Sequence, residues 1–251
     1  MGPLGGFPNP PATDSAGQRP APSTRSVPRL YLITDRKATG GRTLVEVVAA
    51  ALTGISGSGL DPGDVAVQLR EKDLDGRALT ELGRALRAAT AAAGVRLFVN
   101  DRIDVALAVG ADGVHLGGTS LAPEEARGIA PELALAVSTH GIADVRTAVG
   151  DPARVAFAVF GPIRDTPSKR AFGPPLGFDA LAESARIDFP LLALGGLDAG
   201  DVPEALAAGA HGVACIRSVM AATDPASAVQ GLCKVLCQAL ATSSGRPPYR
   251  T

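Results

Sequence analysis

The chain has 251 residues, 46% hydrophobic, 20% charged and 4% aromatic, with no Trp and a formal net charge of −1. So even a balance excludes the basic excess of a nucleic-acid-binding surface, and any affinity for phosphate must be local. No apolar run reaches the length of a membrane span, no basic start and apolar stretch mark a signal peptide, and the three cysteines make no disulfide framework, so a cytoplasmic protein is expected.

Residues 1–28 are rich in Pro, Gly and Ser and lack periodicity, and are expected to form a disordered leader. The tail 242–251 reads as flexible in the same way. Between them, residues 29–241 alternate short apolar runs with helical patterns. Strands are predicted at Leu30–Thr34, Val65–Leu69, Arg96–Val99, Gly113–Leu116, Ala134–Ser138, Val155–Phe160, Leu191–Leu194 and Gly212–Ile216. Helices are predicted at Thr43–Leu52, Gly76–Ala93, Arg102–Ala108, Pro123–Ala130, Ile142–Val149, Phe178–Ala185, Val202–Ala208 and Pro225–Ala241. Continuous apolar strands bounded by helices imply a parallel sheet buried on both faces. Eight strand-then-helix repeats favour a single-domain, closed (β/α)8 TIM barrel over an open doubly wound sheet.

Two phrases, Ala108-Val109-Gly110-Ala111-Asp112-Gly113-Val114 and Ala207-Ala208-Gly209-Ala210-His211-Gly212-Val213, are near copies. In each a helix ends on Gly and the chain turns straight into a strand, which is packing punctuation at the non-catalytic end.

Chemistry in such a barrel sits at the C-terminal ends of the strands. The second strand leads to Gln68, Arg70 and Lys72. Arg70 and Lys72, two apart at a strand end, are expected to point the same way and suit a di- or polyphosphate; ion pairs with Glu71 or Asp73 are the alternative. The third strand leads to Asn100 and Asp101. Asp101 there could bind magnesium, which bridges substrate phosphates, or simply cap the next helix, the expectation local sequence favours. His115 and Ser120 follow from the fourth strand, Ser138 and His140 from the fifth, and Thr166, Ser168 and Lys169 from the sixth. Gly195-Gly196 and the turn after Ile216, with Arg217, match the phosphate site that barrels form after strands seven and eight; a plain strand-to-helix turn is the alternative. His115 and His140 show no zinc-ligand spacing. A histidine on a barrel strand more often satisfies a core hydrogen bond, and His140, next to hydroxyls, is the better acid or base.

Six strings in order carry a resemblance: Val67-Gln68-Leu69-Arg70-Glu71-Lys72, Val99-Asn100-Asp101-Arg102-Ile103-Asp104, Gly113-Val114-His115-Leu116-Gly117, Val137-Ser138-Thr139-His140, Phe160-Gly161-Pro162-Ile163 through Lys169, and Leu194-Gly195-Gly196-Leu197. From Leu30 to Met220 the chain resembles the superfamily of thiamine-phosphate synthases and TenI-type thiazole tautomerases. The resemblance implies a transferase that condenses hydroxymethylpyrimidine diphosphate with thiazole phosphate, releasing pyrophosphate. It implies that Gln68 contacts the pyrimidine, and that Arg70, Lys72, Asn100, Ser138 and Lys169 hold the diphosphate. It implies that Asp101 binds Mg2+, and that Thr166, Ser168, Gly196, Ile216 and Arg217 surround the thiazole phosphate. Expected partners are small phosphorylated substrates and, where the chain self-associates, copies of itself, but neither nucleic acid nor a membrane.

The chain also departs from the pattern. Gly118 and Ser120 stand where the synthases have Gln and the Asp that is their second metal ligand. Arg164-Asp165 replaces a pair with an aromatic residue, and Arg217 replaces a small hydroxyl residue. Ser120 therefore keeps open a tautomerase with His140 as acid or base, and a non-catalytic binder of phosphate ligands.

Overall fold

In the computed structural model, described for residues 27–151, 153–166 and 173–242, strands of four to six residues close into one parallel barrel. They are β1 Leu30–Ile33, β2 Val65–Leu69, β3 Arg96–Asn100, β4 Gly113–Leu116, β5 Ala134–Thr139, β6 Phe157–Phe160, β7 Leu191–Leu194 and β8 Gly212–Cys215. β1 pairs with both β2 and β8, so no sheet edge is left open. The helices around it are α1 Leu44–Thr53, α2 Gly76–Ala92, α3 Ile103–Val109, α4 Pro123–Ile129, α5 Ile142–Gly150, α6 Gly177–Ser184, α7 Val202–Ala207, α8 Arg217–Met220 and α9 Pro225–Thr242. Among the described residues no helix is long and apolar enough to cross a membrane. Of the predicted leader 1–28 and tail 242–251, residues 1–26 and 243–251 lie outside the described residues; Val27 accepts a hydrogen bond from His211 Nε2 at 3.1 Å, and α9 runs through Thr242.

Local sequence sets most boundaries. Thr43 and Glu46 close a reciprocal capping box on α1, and the Asp75 carboxylate accepts from Ala78 N to start α2. Gly110 ends α3 in the left-handed region at φ 64°, and Gly209 turns after α7 at φ 95°. At that same end Asp112 accepts from Leu97 N at 2.9 Å and from Arg87 at 2.6 Å, so the repeated phrases are indeed punctuation remote from the strand C-termini.

Strand alternation divides the core in two. Outward residues such as Leu32, Val67, Leu97 and Leu135 pack on the helices, while Tyr31, Phe98, Ala136, Phe157, Leu192 and Ala214 fill the barrel. Inside, the rings of Tyr31, Phe98 and Phe157 meet edge to face at 5.4–5.6 Å between centroids. Each such contact adds about 0.5–1.5 kcal/mol to its burial. The Phe98 ring occupies the space a Cβ on Gly113 would need, which is why β4 starts on glycine.

Two details differ from expectation. β6 starts at Phe157 instead of Val155. The chain after Ile216, expected as a turn, is the one-turn helix α8, too short to leave a periodic signal.

Candidate active site

β2 ends at Leu69, so Arg70 and Lys72 lie in the turn beyond it, and strand alternation does not make them parallel as expected. Their setting comes instead from the β1 loop. Arg36 N donates to Glu71 Oε1 at 3.1 Å, and its guanidinium lies 3.7 Å from Glu71 Oε2 and 2.8 Å from Asp73 Oδ2. Lys37 Nζ is also 2.8 Å from Asp73. Burial holds the Glu71 carboxyl above its ordinary range against the pull of Thr34 and Arg36. The ion pairs envisaged for Arg70 and Lys72 therefore do not form: the loop cations take both carboxylates. Among the described residues, half-buried Arg70 and exposed Lys72 carry no carboxylate partner.

Above the aromatic layer, β2, β4 and β5 contribute polar side chains to the barrel interior. His115, 3% exposed, places Nε2 at 2.9 Å from Ser138 Oγ and Nδ1 at 3.5 Å from Tyr31 Oη. Burial, with the nearby charge of Arg70, pushes the His115 pKa down to about 3, so the ring is neutral. Gln68 is 1% exposed, and its Nε2 is buried without a partner, an open donor at this level. Gln68, Arg70, His115 and Ser138 thus belong to one neighbourhood.

β3 joins it through the Asn100–His115 register. The N-cap reading of Asp101 is not what forms. Asp101 adopts φ 66°, its N–H donates to the His115 carbonyl at 2.9 Å, and Arg102 caps α3 with no side-chain bond. Pairing with β4 overrides the local cap and holds a non-glycine residue in the left-handed region, at a cost of about 1–2 kcal/mol. Its exposed carboxylate has no hydrogen-bond partner among the described residues. Ser120 Oγ accepts from Gly117 N at 2.7 Å, so its hydroxyl is already engaged in its own turn. No group of three or more His, Cys, Asp or Glu that could hold a metal occurs among the described residues. These residues fit Mg2+ as an ion carried by Asp101 together with a bound diphosphate and water, not as one caged by protein alone.

Across the barrel mouth, the chain after β6 lies against the end of β7. Gly161-Pro162 is a cis peptide, Ile163 N donates to Leu194 O at 2.8 Å and Arg164 N to Gly195 O at 3.0 Å. A Cβ on Gly195 would come 2.7 Å from Pro162 Cα, and one on Gly196 would come 3.4 Å from Thr166 Cγ2. Glycine at 195 therefore lets the Pro162-Ile163 backbone close onto the β7 turn, and Gly196 leaves room for the chain at Arg164 and Asp165. Arg164 is anchored away from the mouth: it binds Asp201 at 2.8 Å and covers the Phe178 ring at 5.3 Å. Ile216 leads into α8, whose first residue, Arg217, is exposed. Burial pushes the neighbouring Cys215 thiol up to about 11, so it is no nucleophile. Ser168 and Lys169 lie outside the described residues.

His140 is exposed at the end of β5. Its Nδ1 lies 2.5 Å from the Gly161 carbonyl, which only accepts, so Nδ1 carries a proton and Nε2 is the ring nitrogen without a partner among the described residues. Sequence reasoning gave Tyr31 no part in the site and assigned His115 to a core hydrogen bond. The available signal was a polar-tipped aromatic at an inward position of β1, level with an inward histidine.

The sequence profile of the family described as thiamine monophosphate synthase matches residues 30–219. The chain is 47% identical over 209 residues to a putative thiamine-phosphate synthase of Geobacter sulfurreducens, spanning 82% of this chain and 93% of that one. It is 43% identical over 221 residues to a thiamine-phosphate synthase of Roseiflexus castenholzii, with 87% and 92% covered. Among solved structures it resembles a thiamine phosphate pyrophosphorylase from Pyrococcus furiosus, with a TM-score of 0.75, 32% identity, and 87% and 100% of the two chains covered.

Proposed function

We infer the function from one premise: this chain belongs to the thiamine monophosphate synthase family. It is a thiamine-phosphate synthase, a transferase that joins hydroxymethylpyrimidine diphosphate to thiazole phosphate and releases pyrophosphate. The observation that carries this reading is the division of charge on the β2 turn. Glu71 and Asp73 are bound by Arg36 and Lys37, which leaves Arg70 and Lys72 available to an anionic ligand.

In this reading the unpartnered Gln68 amide meets the pyrimidine, while Arg70, Lys72, Asn100, Ser138 and Lys169 surround its diphosphate. Thr166, Ser168, Gly195, Gly196, Ile216 and Arg217 receive the thiazole phosphate. The carbon–oxygen bond to the diphosphate breaks first, and the thiazole nitrogen then captures the pyrimidine cation. Charge grows on the departing diphosphate, so donors fixed beforehand lower the barrier more than donors that must reorganise. Asp101 would hold Mg2+, which when bound would supply further positive charge beside the leaving group.

The test is direct. Incubated with both phosphate substrates and Mg2+, the protein should form thiamine phosphate and pyrophosphate in equal amounts. A tautomerase is the second reading, supported by the outward Nε2 of His140 and by Ser120 in place of a carboxylate. Proton exchange on the thiazole carboxylate without thiamine phosphate would establish that activity instead.

A further inference from the structure

We infer that Tyr31, buried beneath the site, sets the tautomer of His115 and through it aims the Ser138 hydroxyl proton into the diphosphate pocket. The inference rests on the reading that Ser138 holds the diphosphate. Three polar groups from three strands form a line, Tyr31 Oη to His115 Nδ1 at 3.5 Å and His115 Nε2 to Ser138 Oγ at 2.9 Å. Tyr31 has no exposed surface, and its ring is enclosed by Phe98, Phe157 and the stacked His115 ring.

Two proton arrangements satisfy these distances, because a neutral imidazole donates from one nitrogen and accepts at the other. In the first, Tyr31 donates to Nδ1, Nε2 donates to Ser138 Oγ, and the Ser138 proton remains for the pocket. In the second, Nδ1 donates to Tyr31 Oη and Ser138 donates to Nε2. The tyrosine proton then has no acceptor in an apolar layer, at a cost of about 1–3 kcal/mol. The second arrangement also turns serine lone pairs, not a proton, toward an anion. Charging the ring would still leave the tyrosine proton without an acceptor, and burial with Arg70 nearby opposes the charge. The first arrangement wins because of one atom, the Tyr31 hydroxyl. Tyr31 touches no substrate and is a positioning residue; phenylalanine would fill the same volume in the aromatic layer and leave His115 free to turn its tautomer round.

The experiment combines nitrogen NMR of the histidine rings in the ligand-free protein with kinetics of Tyr31→Phe, Ser138→Ala and the double variant. Wild-type His115 should carry its proton on Nε2, and Tyr31→Phe should move population to Nδ1. The variant should lose about tenfold in kcat, the equivalent of one weakened transition-state hydrogen bond, with a smaller change in KM. In a Ser138→Ala background the same change should cost nothing further. An Nδ1 proton in the wild type, an unchanged tautomer in Tyr31→Phe, or additive kinetic losses would each overturn the inference. Failure of the underlying reading looks different: Ser138→Ala would leave catalysis intact while the tautomer result, read without ligand, still stood.

Discussion

Arg36 and Glu71 are joined twice, through the Arg36 backbone N–H at 3.1 Å and through the guanidinium at 3.7 Å. The bond ties the β1 loop to the β2 turn and occupies the acid that lies between Arg70 and Lys72 in sequence. With Asp73 held by Arg36 and Lys37, both acids of an alternating run are engaged, and Arg70 and Lys72 are left without a carboxylate partner among the described residues.

That division predicts unequal effects from two exposed lysines. Lys72→Ala should lower kcat by roughly 10²-fold, the scale for losing a charged donor to a developing anion. Lys37→Ala, which removes the same charge from a surface ion pair worth at most about 1 kcal/mol, should change it less than threefold. Steady-state kinetics on the pair decides. Equal losses would mean that general positive potential, not a specific contact, does the work.

In the proposed reading Asp101 is the carboxylate that would hold Mg2+, while Ser120 is turned back on Gly117 N. Supplying a second carboxylate with Ser120→Asp should tighten Mg2+ binding in the presence of inorganic pyrophosphate by about tenfold, since charge count governs affinity for a hard cation. Asp101→Asn should weaken it by at least as much. Calorimetric titration reads both, and unchanged affinity in Ser120→Asp would place the ion elsewhere.

The barrel was legible in the sequence because each strand is a short apolar run between helices, and all eight predicted helices begin at or beside a Thr, Asp, Gly or Pro signal that local rules recognise. That Gln68, Asn100, Ser138, Thr166 and Gly195 fall at or beyond strand ends was legible because the apolar runs stop there. The failures have one cause, contacts distant in sequence outweighing local preference. The β4 carbonyl of His115 draws the Asp101 backbone into the left-handed region, so the expected cap is lost. The β1 loop takes the acids of the β2 turn, so pairing by neighbours misleads. Tyr31 and His115 meet only through barrel closure, 84 residues apart.

Gly195 and Gly118 separate strain from simple exposure. Gly195 has φ 114°, and a Cβ there would stand 2.7 Å from Pro162 Cα, whereas nothing lies within 4 Å of a Cβ on Gly118. Gly195→Ala should cost about 2–4 kcal/mol from overpacking and backbone strain together, and weaken thiazole phosphate binding as the Pro162-Ile163 backbone is pushed off the β7 turn. Gly118→Ala should stay within about 0.5 kcal/mol of the wild type. Chemical denaturation of the two variants checks this, and comparable stabilities would refute the close approach.

His211 gives the chain an acid limit to its stability. It is buried at the strand N-terminal end, where burial and Arg29 push its pKa down to about 4. A free histidine titrates near 6.5, so on acidification the unfolded chain takes up this proton first. Stability from this group is therefore complete above about pH 6.5 and falls as the pH drops toward 4, by up to about 1.4 kcal/mol per pH unit. His211→Gln retains a donor for the Val27 carbonyl and cannot titrate. Comparing thermal unfolding of wild type and variant between pH 7.5 and 4.5 isolates the contribution. The wild-type curve should fall relative to the variant only below pH 6.5, and parallel curves across the whole range would show that His211 takes up its proton alike in the folded and unfolded chain.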